Sequence, residues 1–401
     1  MDAILTPDLS APERKAIQVS SSAIAVAAAG MCTFLNVYTT QSLLPYMRSL
    51  YNASEVQVSL TVSATTLGMA LAAPFLGLLA EAVGRKRVVV PALFGLVVPT
   101  TLAATSTSLH VLIVWRFVQG IFTAGIITVM LAYIGEEWPA NGVGFAMSTY
   151  VSGTVLGGFL GRFLAGLISA HYNWRYSFVV LGATTLAGAV AVRHWLPPAA
   201  NFVPSANAGA TLRQGLLHLR NPRLVATFGM GFAMLFALVG TFNYVNFYLA
   251  APPFGLNSAH LGCVFFVYLL GLVVTPLAGS YMDRRGFRRT IVLAFCLSIT
   301  GLGLSLKPSL AVIIPGLALA ASGIFILQAS ATTHLGKVAG RARSSAAGLY
   351  VTFYYIGGST GAVLPAYFWV RGGWPATVAL LSVAVFACVA LGFAASRPEV
   401  V

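Results

Sequence analysis

Long apolar runs alternate with short polar interruptions along this chain. Stretches free of Asp, Glu, Lys and Arg lie between Glu55 and Glu81, Arg116 and Glu136, Arg175 and Arg193, Lys307 and Lys337, Arg343 and Arg371, and Arg371 and Arg397. The span from Arg223 to Asp283 has room for two more runs around a turn at Ala251–Asn257. A helix needs about 20 apolar residues to cross a bilayer. The pattern therefore predicts twelve crossing helices, near 20–45, 56–80, 88–107, 110–133, 143–168, 174–196, 223–249, 259–281, 288–306, 309–332, 343–369 and 374–395. A helix satisfies its own backbone groups within lipid, whereas a barrel would show shorter, alternating segments. The fold class expected is an all-α polytopic membrane protein.

Composition sharpens this picture. The chain is 58% hydrophobic and 8% charged, against about 25% charged residues in a soluble domain. Its mean hydropathy is +0.85. The net charge of +14 matters through its placement. With the amino terminus on the cytoplasmic side, 17 of the 23 Lys and Arg fall in cytoplasmic segments. Arg48, Arg175, Lys307 and Arg371 fall on the other side, and Arg116 and Arg162 fall inside predicted helices. This bias predicts that both termini are cytoplasmic. Charges scattered over short loops do not form a nucleic-acid-binding face. Cys32, Cys263, Cys296 and Cys388 lie in apolar runs and are expected to be small buried residues, not a disulfide framework. The polar start of the chain lacks the apolar core of a cleavable signal peptide. All six Trp fall near predicted helix ends, where the membrane interface favours them.

The chain also repeats itself. Gly77-Leu-Leu-Ala-Glu81-Ala-Val-Gly84-Arg85-Lys86-Arg87 returns 202 residues later as Gly279-Ser-Tyr-Met-Asp283-Arg284-Arg285-Gly286-Phe-Arg288-Arg289. Tyr150-Val151 and Gly157-Gly158-Phe-Leu-Gly161 return 200 residues later as Tyr350-Val351 and Gly357-Gly358-Ser-Thr-Gly361. Two matches in near register predict two pseudosymmetric six-helix bundles, 1–196 and 223–401, joined by a cytoplasmic linker at 197–222. Within the linker, Thr211 to Leu219 is equally compatible with a short amphipathic surface helix and a plain tether. Repeats of this kind build a site between two bundles that can rock against each other.

The doubled loop signature, with Arg116-Phe-Val-Gln119-Gly120 opening helix four, resembles the major facilitator superfamily. Tyr38-Thr-Thr-Gln41-Ser-Leu-Leu-Pro45, Phe242-Asn243-Tyr244 and Gly348-Leu-Tyr-Val-Thr-Phe-Tyr354 resemble a bacterial efflux-permease-like group of inner-membrane transporters within it. That likeness implies residence in a bacterial inner membrane, alternating access, export of a small organic solute and a proton as coupling ion. It also implies that Glu81 and Asp283 are acids of a conformational latch, with Gly77, Gly84, Gly279 and Gly286 shaping it and Arg85, Arg87, Arg288 and Arg289 around it. There are departures: Glu81 stands where Asp is usual, and the glycine run of helix five lacks the Gly-Pro of the family's antiporters.

Candidate binding residues are the polar and aromatic side chains mid-helix. The resemblance puts helices one, four, seven and ten around the pathway, offering Asn36, Tyr38, Gln41, Arg116, Gln119, Asn243, Tyr244, Asn246 and Gln328; Tyr150 and Tyr354 would add aromatic walls. A buried amide must hydrogen-bond between helices or face a wet cavity. Arg116 has no acidic partner in sequence, so it either snorkels outward or faces the cavity and binds an anion. Arg162, near the outer end of helix five, reads as structural. Every acid lies at a terminus, loop or helix end, so no mid-membrane carboxylate is on hand for a proton. No catalytic or metal-ligating motif and no ATP-binding loop is present, so neither an enzyme, a cofactor nor a primary pump is expected. The expectation is a monomeric secondary transporter whose partners are a small-molecule substrate and the lipid bilayer. An organic-anion uptake carrier, raised by Arg116, is the alternative. A non-transporting polytopic protein is the second alternative, though it would ordinarily append a soluble domain.

Overall fold

A computed structural model describes residues 11–138, 142–199, 217–339 and 343–396. Twelve crossing helices make up the molecule, with no strand among the described residues. Helix α1 is Ala11–Val37, continued by a 3-10 turn at Thr39–Leu43 and a short helix, Leu44–Leu50. Next come α2 Glu55–Val83, α3 Arg85–Ala103, α4 Leu109–Glu137, α5 Val143–His171 and α6 Trp174–Trp195. Helix α7 is Pro222–Ala250, and α8 is Ser258–Arg285, broken by a 3-10 segment at Phe265–Leu270. The last four are α9 Phe287–Leu304, α10 Leu310–Val338, α11 Arg343–Val363 and α12 Pro365–Ala395. Eleven spans are long and apolar enough to cross a membrane by themselves; α11 is the other helix.

Local chemistry sets the ends. Ser54 opens α2 with a reciprocal capping box to Gln57, and Asn221 caps α7 ahead of Pro222. Pro45 near the start of Leu44–Leu50 has no N–H to offer the preceding turn, which fits the break after Val37. Gly372 and Gly373 are non-helical inside α12, with φ −148° and +57°. The chain reverses there, matching the predicted end of helix eleven at 369 and start of helix twelve at 374. In both loop signatures the glycine is required by the backbone: Gly84 has φ +104° and Gly286 φ +82°. Each donates its N–H to the preceding helix, to Ala80 O and Met282 O.

Glycines weld α5 to α1 and α11 to α7. A Cβ at Gly157 would lie 2.1 Å from Met31 O, and one at Gly161 would lie 2.1 Å from Leu35 O. In the second half Gly357 meets Phe232 O and Gly361 meets Phe236 O in the same way. The repeat in sequence is thus a repeat of one contact in space, a small-residue seam that brings backbones together.

The two halves do not share their whole length. One apolar core joins Val37, Leu44, Val58 and Phe178 of the first half to Phe242, Phe265 and Leu381 of the second. A separate core of Val26, Ala80, Leu93, Met130 and Val192 belongs to the first half alone, on the side of the chain termini. The halves meet through α2 with α11, α5 with α8, and the 39–50 part of α1 with α7. They are therefore fused at the end remote from the termini, here called distal.

Two expectations change. Cys263 and Cys296 are exposed on the surfaces of α8 and α9; Cys32 and Cys388 are buried. Trp174 and Trp374 are buried in the protein, not anchored at an interface. Trp374 donates to Ser305 O at 3.1 Å, and Trp174 packs edge-on against Tyr51 and Phe178. Packing at the distal end outbid the interface for these rings. The stretch Thr211 to Leu219, compatible with a surface helix or a tether, lies largely outside the described residues.

Candidate functional site

Two polar networks occupy the middle of the bundle. The first is internal to the first half. Arg116 on α4 is fully buried. Its Nε donates to Thr61 O at 3.0 Å, and its Nη1 to Asn36 O and to Gln119 Oε1, both at 2.6 Å. Its Nη2 donates to Val37 O. The carbonyls of Asn36 and Val37 are helix-end acceptors freed by the break in α1, so the guanidinium caps that end. Gln119 Nε2 donates to Thr100 Oγ1 at 2.8 Å, which donates to Asn36 Oδ1 at 3.0 Å. Asn36 Nδ2 donates to Thr185 Oγ1 at 2.9 Å. Every nitrogen of Arg116 is engaged by a neutral acceptor. A ligand would have to displace these bonds to reach it, so Asn36, Arg116 and Gln119 form one closed packing unit.

The second network bridges the halves. Gln41 Nε2 donates to Asn243 Oδ1 at 2.7 Å, and the two residues are 202 positions apart. That separation equals the repeat of the loop signature. The pair joins the 39–50 part of α1 in the first half to α7 in the second. Asn246 Nδ2 donates to Gln41 O at 2.9 Å. Ser63 on α2 and Ser359 on α11 share a hydrogen bond of 2.7 Å.

Arg162 on α5 joins this second network. Its Nε donates to Gln41 Oε1 at 2.7 Å, and its Nη1 to Gly158 O. Its guanidinium carbon lies 4.6 Å from the ring centres of Tyr38 and Tyr268 and 4.7 Å from that of Phe265. Cations sit favourably on such faces. Two of those rings belong to α8, so Arg162 ties the halves together. It is nine residues from the distal end of α5 at His171, or about 13 Å along the helix axis, close to mid-depth. Sequence alone assigned it a structural role. The signal that could have found it was the repeat itself, because Gly161-Arg162 matches Gly361-Ala362 and the second copy has no arginine.

Tyrosines extend the site towards the terminal side. Tyr350 stacks on Tyr354 with centroids 6.0 Å apart, and Tyr354 meets Tyr355 edge-on at 5.2 Å. Gln328 lies beside Tyr354, and both are partly exposed. Tyr150 is buried with its hydroxyl unpartnered, as are the Tyr350 hydroxyl, Asn243 Nδ2 and Asn246 Oδ1. Of the eleven candidate binding residues, three are locked in the Arg116 unit. The bridge gathers Tyr38, Gln41, Asn243 and Asn246, and Tyr150, Gln328 and Tyr354 stand along the aromatic walls. Tyr244 donates to Ala362 O at 3.0 Å within its own half.

Basic residues of the loop signatures bond outside the signatures. Arg85 grips Glu136 at the end of α4 with two bonds, Nη2–Oε1 at 2.7 Å and Nε–Oε2 at 3.1 Å. Arg288 donates to Ser396 Oγ at 2.9 Å. Glu81 makes no ion pair among the described residues, Asp283 borders a recess with His334 and Lys337, and Arg87 and Arg289 are exposed.

The family model described as Major Facilitator Superfamily matches residues 26–361. The chain belongs to this superfamily. It is 32% identical to the uncharacterized MFS-type transporter YybF of Bacillus subtilis over 88% of both chains. It is 30% identical to the inner membrane transport protein YnfM of Escherichia coli, over 92% of this chain and 89% of that one. A solved bacterial homologue of the human lysosomal transporter Spinster, inward-facing and occupied, superposes with a TM-score of 0.75. That match covers 98% of both chains at 15% identity, a likeness of fold. An MFS transporter is a multi-pass membrane protein that handles small molecules within the membrane. In this superfamily member the network around Gln41 and Arg162 joins residues of both halves.

Proposed function

We propose that the protein is a secondary transporter that exports a small organic solute across a bacterial inner membrane by alternating access, with both termini cytoplasmic and domains at 1–196 and 223–401. The observation that carries this is the one-sided union of the halves. They share an apolar core and the Gln41–Asn243 pair distally, while the first half keeps a separate core towards the termini. That shape is one of the two states a rocking pair of bundles needs.

Six glycines support the second state. Gly77, Gly135, Gly144, Gly279, Gly336 and Gly348 stand in the terminal-side parts of α2, α4, α5, α8, α10 and α11. A Cβ at any of them would meet nothing within 4 Å. Most other glycines mark close contact, though Gly255, Gly286 and Gly303 are open as well, and the six are suited to backbones that approach when the terminal side closes. In the same reading the loop signatures, with Arg85, Arg87, Glu81, Asp283, Arg288 and Arg289, act as latches of that closed state. The gradient of a solute or ion drives the cycle. A proton is the first coupling ion to examine; among the described residues no carboxylate lies mid-crossing, so it would travel on the substrate or a histidine.

The test is counterflow of labelled organic solutes in proteoliposomes, with and without a pH gradient. Ser63→Cys/Ser359→Cys, in a background with the native cysteines replaced by Ser, should cross-link on oxidation and arrest counterflow. Reduction should restore it. Counterflow that persists at full cross-linking would refute alternating access through this interface.

A further inference from the structure

Arg162 is a buried cation with an unfinished coordination. It is 2% exposed. Its Nε and Nη1 have acceptors, both neutral, whereas its Nη2 donates to no acceptor among the described residues. No carboxylate pairs with it among the described residues: the two ion pairs there, Arg48–Glu55 and Arg85–Glu136, do not include Arg162. A desolvated guanidinium without a counter-charge is costly within a membrane, and such residues mark ligand pathways. Arg116 offers the contrast. It is as deeply buried, but each of its three nitrogens donates to an acceptor on α1, α2 or its own helix. The two arginines are therefore not equivalent, and only Arg162 has a donor to spare at the boundary between the halves.

The surroundings narrow the ligand. Tyr38, Phe265 and Tyr268 hold the guanidinium. Phe325 stands edge-on to Tyr268 at 5.7 Å, and Tyr355 lies within electrostatic range of Tyr38, Tyr150 and Tyr354. Aromatic faces around one cation suit a flat apolar body that carries a single anionic group. The unpartnered amide atoms of Asn243 and Asn246 lie next to the same bridge and can take the ligand's remaining polar atoms.

We propose that Arg162 is the anchor for the carboxylate of a planar aromatic organic acid, bound between the halves against Tyr38 and Tyr268. The proposal rests on the transporter reading above and names its substrate class. A ligand that ties α5 to α1 and α8 at this point would also bear directly on the inter-half Gln41–Asn243 pair.

The experiment is equilibrium binding, independent of transport. Full-length protein in detergent is titrated by thermal shift with benzoate and 2-naphthoate, with benzamide and 2-naphthamide as neutral matches, and with chloride. The acids should stabilise the protein at concentrations about tenfold below those of the amides, the discrimination expected for a charge-assisted bond. Arg162→Gln should abolish the preference for acid over amide, and Arg162→Lys should retain part of it. Three outcomes overturn the proposal: acids and amides that stabilise equally, chloride that matches benzoate, or an acid preference that survives in Arg162→Gln. Failure of every acid to stabilise the wild-type protein also overturns it. Because the wild-type comparison needs no variant, a misfolded Arg162→Gln does not spare the idea. Loss of binding with counterflow of neutral solutes intact would sink this inference and leave the transport reading standing.

Discussion

At the scale of single residues, burial of an arginine does not by itself announce a binding role. Arg116 and Arg162 are both enclosed by helices, yet Arg116 closes the carbonyl end of a broken helix and Arg162 keeps a donor free. Arg116→Met keeps the bulk and removes the charge, withdrawing the guanidinium donors from the carbonyls of Asn36, Val37 and Thr61. Given about 1.5–3 kcal/mol for a bond to a charged group, the variant should lose roughly that amount of stability or more. A fall of several degrees in the thermal unfolding midpoint in detergent would register it; an unchanged midpoint would mean that the cap is dispensable. Substituting Ala for Gly84 or Gly286 forces a Cβ into the left-handed region and should cost about 1–2 kcal/mol. Both glycines were recognisable in the doubled motif, although their backbone angles were not.

At the scale of elements, glycines of two kinds should respond oppositely. Gly157→Ala places a Cβ 2.1 Å from Met31 O, and Gly357→Ala does the same against Phe232 O. Helices α1 and α5, or α7 and α11, must then separate, at about 1–3 kcal/mol. Gly77→Leu and Gly348→Leu enter open space. They should leave the unfolding midpoint unchanged and slow counterflow, because added bulk opposes closure of the terminal side. Equal losses of stability in both sets would remove the distinction. The two sets share residue type and periodic setting, so sequence could flag the seam but could not tell a contact already made from one still to be made. The helices themselves were legible, with ends displaced by a few residues, because an apolar run of bilayer length has few other options. The breaks in α1 and α8 were not: both lie inside uniformly apolar or weakly polar stretches, and their 3-10 turns answer to neighbouring helices.

At the scale of the whole molecule, charge and packing speak to different questions. The excess of Lys and Arg on one side predicts orientation, and no contact in the structure bears on it. A green fluorescent protein fused after Val401 should fluoresce, and alkaline phosphatase at the same point should be inactive, as expected for a cytoplasmic carboxyl terminus. The opposite result would invert the direction of every transport argument. Packing determines which end of the bundle is shut. The Gln41–Asn243 pair joins the halves distally through neutral amides and leaves two amide atoms unpartnered, so parting the pair itself breaks no ion pair. A gate built in this way can open at modest cost, as a two-state element must.

The order and number of the helices, the duplication and the family likeness follow from residue order alone, because hydrophobic length and repeated motifs are properties of a string. Which arginine is capped and which keeps a free donor is a different kind of fact. It depends on where α1 breaks, 80 residues from Arg116, and on which rings of α8 reach across to α5, and only three-dimensional packing brings those groups together.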